Sequence, residues 1–208
     1  MRNLARGFFL LTLLALASAT SASGGNILFL GDSLTIGLGV QQEQAYPALI
    51  QEKIRAANLP FDVTNAGISG DTSAGGLARL DWVLQKPVDV LVLALGANDG
   101  LRGLPVAQLK SNLQSIIDKV KAKNPAVKVV IAGMEIPPNY GADYAAQFSA
   151  VFAELAKQNH AALVPFLLEG VGGHIDLNQP DHIHPTAAGH KIVADNVWRV
   201  LEPLLKTS

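Results

Sequence analysis

The chain has 208 residues, with 16 Lys and Arg against 17 Asp and Glu, no Cys, and 49% hydrophobic residues. Near-neutral charge without a Lys/Arg cluster argues against a nucleic-acid partner, whose phosphates demand concentrated cationic side chains. The lack of Cys excludes disulfides, thiolate metal sites and lipid attachment through a cysteine.

Residues 1–22 read as a secretory leader. Arg2 and Arg6 precede the apolar run Phe8 to Ala17, and Ala17-Ser18-Ala19 supplies the small residues that a signal peptidase accepts, with cleavage after Ala19 or Ala22. The run falls short of the ~20 apolar residues that span a bilayer, so no stable membrane anchor is expected. Losing the leader removes two Arg and no acidic residue, which leaves a net charge of −3. Residues 23–208 have the length of one domain with a sizeable core, undivided by any repeat or Pro-rich hinge. The expected location is outside the cytoplasm, periplasmic or secreted.

The apolar run Asn26 to Leu30 predicts a buried strand that ends in Gly31-Asp32-Ser33-Leu34-Thr35. A helix is expected over Gln44 to Asn58 and a second strand over Phe61 to Asn65, followed by the glycine-rich turn Ala66 to Thr72. Thr72 or Ser73 is placed to cap one helix running through Leu77, Leu80 and Val83-Leu84. The run Val88 to Leu95 is almost wholly apolar, as a strand covered on both faces should be, and leads into Gly96-Ala97-Asn98-Asp99-Gly100.

Leu109, Leu113, Ile116, Ile117 and Val120 share one helical face. A fourth strand follows at Val127 to Ala132, and Phe148, Val151, Phe152, Leu155 and Ala156 mark another helix. A short fifth strand is expected at Ala161 to Pro165. The last helix runs from about Pro185 to Leu205, with Val193, Val197, Val200, Leu201, Leu204 and Leu205 inward. Five alternations of strand and helix predict an α/β fold: a three-layer, doubly wound parallel sheet with helices on both faces.

In such a sheet the loops leaving the carboxyl ends of the strands meet on one edge. Here they carry Ser33, Gly70, Asn98 and Asp181-His182-Ile183-His184-Pro185. A serine-dependent hydrolase needs a nucleophile, a base, a carboxylate that orients the base, and donors for an oxyanion. Ser33 can be the nucleophile or a helix cap. His184 can be the base, with Asp181 turned back onto its imidazole, or a surface histidine. The oxyanion donors would be the N–H groups of Ser33 and Gly70 and the Asn98 amide; Gly70 as a plain turn residue and Asn98 as an Asx turn are the alternatives. His182 and His184, two apart on an extended chain, could also form a metal pair, although a third ligand has no recognisable spacing.

Gly31-Asp32-Ser33-Leu34, Gly70, Gly96-Ala97-Asn98-Asp99 and Asp181-His182-Ile183-His184-Pro185 resemble the four blocks of the SGNH (GDSL) hydrolase superfamily, in order. Asn65 to Ser73, Gly76 to Leu80, Gly100 to Gly103 and Pro137 to Gly141 narrow the resemblance to its bacterial periplasmic thioesterase I, arylesterase and lysophospholipase group. The likeness spans essentially the whole chain after the leader. Residue 35 is Thr, so the serine is not in the Gly-x-Ser-x-Gly elbow of the ordinary α/β-hydrolase fold.

The resemblance implies strand order 2-1-3-4-5, as in flavodoxin-like sheets, which would bring Ser33 and Asn98 together at the switch point. It also implies Ser33 as nucleophile, His184 as general base, Asp181 as its orienting carboxylate, and Gly70 and Asn98 completing the oxyanion hole. The activity implied is hydrolysis of small-molecule carboxylic esters or thioesters through an acyl-enzyme, with no cofactor and no metal. An acyltransferase or carbohydrate deacetylase would use the same triad, and a silent binding protein is the reading from another class. Substrate preference is expected to lie in residues 136–144 and 166–179, as an apolar, mobile wall.

Overall fold

The computed structural model describes residues 24–207. The leader expected over residues 1–22 lies outside the described residues, as do the ends of the expected 23–208 domain.

Five parallel strands form a single sheet in the order β2-β1-β3-β4-β5. They are β1 (Gly25–Gly31), β2 (Phe61–Gly67), β3 (Val90–Ala94), β4 (Lys128–Ala132) and β5 (Ala162–Val164). Every residue of β3 is buried, as is β1 from Ile27 onward, because helices cover both faces. This is the doubly wound fold that the alternation of strand and helix patterns predicts, in the strand order that the family resemblance implies. The major helices are α2 (Tyr46–Ala56), α6 (Val106–Lys123), α7 (Ala142–Asn159) and α8 (Ala187–Lys206). In one layer α2 packs on α8; in the other α6 packs on α7. The predicted stripes face the core as expected, except that Val200 and Leu204 are only half-buried at its margin.

One expected helix is two. It divides into α3 (Ser73–Ala78) and α4 (Leu80–Val83), with Arg79 between them at φ −94° and ψ 0°. The Arg79 side chain turns back instead of continuing a stripe. Its Nε meets Asp71 Oδ2 at 2.6 Å, and its Nη2 donates to the carbonyls of Ala66 at 2.7 Å and Gly31 at 3.1 Å. Helical periodicity cannot show a side chain spent on the ends of two strands.

The register brings the site together. Gly31 of β1 stands opposite Gly67 of β2 on one side and Ala94 of β3 on the other, so three strands end level. Between β1 and β2 lies the single turn α1 (Ser33–Ile36), which crosses directly over Gly67. A Cβ on Gly67 would run into the Ile36 amide nitrogen and stand 2.9 Å from the Asp32 carbonyl oxygen, so only glycine lets α1 lie this close.

Candidate active site

β1 stops at Gly31 and α1 begins two residues later. The helix cap is Asp32, whose Oδ1 accepts the Leu34 N–H at 3.0 Å, and not Ser33. The Ser33 hydroxyl is thereby left for another partner, at the first position of the helix and 8% exposed. Its amide and the amide of Gly70 meet no acceptor among the described residues.

That partner is His184, across 151 residues of sequence. Ser33 Oγ lies 2.8 Å from His184 Nε2, and His184 Nδ1 lies 2.7 Å from Asp181 Oδ2. The other Asp181 oxygen accepts the N–H groups of Ile183 and His184, each at 3.0 Å. The ring bond from His184, with these two backbone bonds, holds the Asp181 carboxyl down at about 2. An ionised Asp181 fixes the proton of a neutral imidazole on Nδ1 and leaves Nε2 able to accept the serine proton.

Gln179 docks this loop. Its N–H donates to His184 O at 2.7 Å, and its side-chain amide donates to Leu38 O at 2.7 Å and Pro185 O at 3.0 Å, tying the histidine loop to the chain just beyond α1. His182 has φ +61°, so the stretch is a turn and not the extended chain that would point His182 and His184 the same way toward a metal. Both ring nitrogens of His184 are engaged with Asp181 and Ser33.

Gly70 and Asn98 stand where the sequence puts them, after β2 and β3. Gly70 has φ +82°, a conformation that glycine adopts without strain. Asn98 lies in the short helix α5 (Ala97–Leu101), and its Nδ2 donates to Asp71 O at 2.9 Å. The second amide hydrogen has only Asp32 Oδ2, at 3.5 Å, so it is the one available to an oxygen arriving in the cleft.

Four hydrogen bonds join the Gly70 loop and the start of α3 to α5 and the residue that ends it, and the sequence reading gives none of them. Asn98 holds Asp71 O; Asp99 receives the Ser73 N–H at 2.8 Å and the Ser73 hydroxyl at 2.6 Å; Arg102 Nη2 donates to Gly70 O at 2.9 Å. Asn112 then donates to Ser73 Oγ at 2.9 Å, which anchors the seam to α6. Ser73, Asp99 and Asn112 are all buried. The available signal was Asn112, a polar residue on the apolar face that carries Leu109, Leu113 and Ile116.

Asp32 is buried beside the relay, 1% exposed. Burial raises its carboxyl from the ordinary 3.8 to about 6, while the Leu34 N–H and the nearby His184 work in the opposite direction. The native state therefore binds this proton more tightly than the unfolded chain. The cost of burying the charge is fully present above about pH 6 and disappears below pH 3.8. Asp32→Asn keeps an acceptor for the cap, and is expected to be more stable than wild type at pH 8 by up to roughly 3 kcal/mol. The gain should vanish by about pH 4 in urea denaturation; a gain independent of pH would separate it from Asp32 ionisation.

A cleft of about 540 Å³ opens over the relay. Its apolar wall includes Ile136, Phe166 and Leu168 from the two expected segments, together with Leu101, Met134 and Ile183 from outside them. Residues 142–144 of the first segment belong instead to α7.

A serine, a histidine and a carboxylate in one hydrogen-bonded line, beside free amides at the carboxyl edge of a doubly wound sheet, define a hydrolase of the SGNH class. Residues 29–192 match the model of the GDSL-like Lipase/Acylhydrolase family, and the chain belongs to that family. It is 45% identical to Esterase TesA of Pseudomonas aeruginosa, over 96% of this chain and all of that protein. It is 38% identical to Thioesterase 1/protease 1/lysophospholipase L1 of Escherichia coli K12, over 92% of this chain and 90% of that one. Among solved structures, the psychrotrophic esterase EstA from a Pseudoalteromonas species, inhibited by monoethylphosphonate, superposes with a TM-score of 0.82 at 35% identity, covering 88% of this chain and 99% of that one.

Proposed function

We propose that this protein is a serine esterase that hydrolyses carboxylic esters or thioesters, with Ser33 as nucleophile, His184 as general base and Asp181 as the carboxylate that orients it. The observation that carries this reading is the continuous line Ser33 Oγ, His184 Nε2, His184 Nδ1 and Asp181 Oδ2, with contacts of 2.8 and 2.7 Å. Ser33 Oγ attacks the carbonyl carbon as its proton passes to Nε2. The negative oxygen is received by the N–H groups of Ser33 and Gly70 and by the Asn98 amide. His184 returns the proton to the departing alcohol or thiol. Water, deprotonated by the same nitrogen, then attacks the acyl-enzyme and releases the acid and free Ser33.

The names of the relatives, an esterase and a thioesterase/lysophospholipase, support acyl esters and thioesters as the substrate class. The apolar cleft fits the acyl or aryl part of such molecules. No helix among the described residues is long and apolar enough to cross a membrane. The leader-like residues 1–22 support action outside the cytoplasm, where cytosolic thioesters are not at hand.

The test is hydrolysis of p-nitrophenyl esters from acetate to palmitate. Acyl chains that lie along the apolar wall should make kcat/KM depend on acyl length. A flat profile would show that the acyl group does not enter the apolar wall, and absence of hydrolysis along the whole series would reject the substrate class.

A further inference from the structure

Histidines apart, the residues that line the cleft carry charge of one sign. No Lys or Arg lines it among the described residues; apart from histidines, its one ionisable wall residue is Glu135, in the segment after β4. Glu135 is exposed, and it makes no hydrogen bond or ion pair with any described residue. The carboxyl groups of Asp32 and Asp181 lie beside the same cleft, while the nearby Arg102 guanidinium donates to Gly70 O. No hydrogen bond or ion pair with a described residue draws this carboxylate away from the cleft. Its field instead reaches whatever occupies the cleft.

Ester hydrolysis changes the charge of the acyl part. A neutral ester and water give an alcohol and a carboxylic acid, and the acid has an ordinary pKa of about 4, so at neutral pH it loses a proton to solvent and becomes an anion. A fixed negative charge on the wall therefore leaves the neutral substrate alone and repels the product. We propose that Glu135 makes the cleft selective by charge: neutral or cationic esters are accepted, anionic esters are disfavoured, and the carboxylate product is expelled. This rests on the ester-hydrolase reading and deepens it by naming the charge of the substrate. Acyl groups on phosphorylated carriers fall in the disfavoured class, whereas plain alkyl and aryl esters do not. The Glu135 side chain is exposed, so the effect has the size of a solvent-screened pair, about two- to fivefold at low salt.

The test is inhibition of p-nitrophenyl butyrate hydrolysis by octanoate and by its neutral isostere octanamide, with wild type, Glu135→Gln and Glu135→Lys. The ratio of the two inhibition constants cancels any change in packing. The expected result is a ratio that shifts toward tighter octanoate binding, by about two- to fivefold in Glu135→Gln and further in Glu135→Lys, and that contracts at high salt. A ratio that is the same in all three proteins, or octanoate that binds none of them, overturns the proposal. The esterase reading is judged separately by Ser33→Ala: hydrolysis that persists there rejects that reading whatever octanoate does.

Discussion

Ser33→Ala is expected to lower kcat for a p-nitrophenyl ester by on the order of 10⁵-fold or more, with the fold intact. The side chain is one oxygen at the first position of α1, and Asp32 caps that helix, so removing the hydroxyl leaves the cap in place. What disappears is the atom 2.8 Å from His184 Nε2. His184→Ala should cost about as much, and the double variant little more than either, because nucleophile and base act as one unit. Asp181→Asn should cost less. Its carboxylate is 44% exposed, and solvent can take over part of its bond to the imidazole. Residual turnover would come from the oxyanion donors, which these substitutions leave untouched. Activity that survives Ser33→Ala but is lost to a chelator would assign the chemistry instead to a metal at His182 and His184.

The sheet was legible because its signals are redundant. Each buried strand is a continuous apolar run, each major helix shows a stripe, and the strand order follows once the four motif blocks place the chain. The site was legible for a different reason: Ser33, Gly70, Asn98 and the Asp181 to His184 loop each follow a strand, and a doubly wound sheet brings those ends together. What stayed hidden was of two kinds. Arg79 looks like one residue within a helix, yet it stands between two, and its side chain holds Asp71 and the carbonyls of Gly31 and Ala66. Ser73 pairs with Asp99 across 26 residues, and no local period reports such a contact. Gln179 belongs with them, since its bond to Leu38 spans 141 residues. Polar side chains that fasten loops follow the fold's geometry, and of those that fasten the Gly70 loop the hydrophobic periodicity betrays only Asn112, a polar residue within the buried stripe of α6.

Asn98→Ala is expected to reduce kcat by on the order of 100- to 1000-fold with a smaller change in KM, because a donor aimed at the developing oxyanion works mainly in the transition state. Asn98 is the one proposed donor that can be deleted, since the other two are backbone amides. The substitution also removes the 2.9 Å bond to Asp71 O, so a loss of activity could arise from the donor or from a loosened Gly70 loop. Ser73→Ala separates the two. It takes two bonds from the same seam, the 2.6 Å contact with Asp99 and the 2.9 Å bond from Asn112, and leaves the Asn98 amide in place. Opening that buried pair should cost about 1–3 kcal/mol of stability while lowering kcat far less than Asn98→Ala does. If both variants lose kcat equally, the seam itself sets the position of the Gly70 amide, and the oxyanion site is a property of three fastened segments more than of any single donor. If Asn98→Ala retains full turnover, its amide belongs to the seam alone, and the oxyanion must be held by the amides of Ser33 and Gly70.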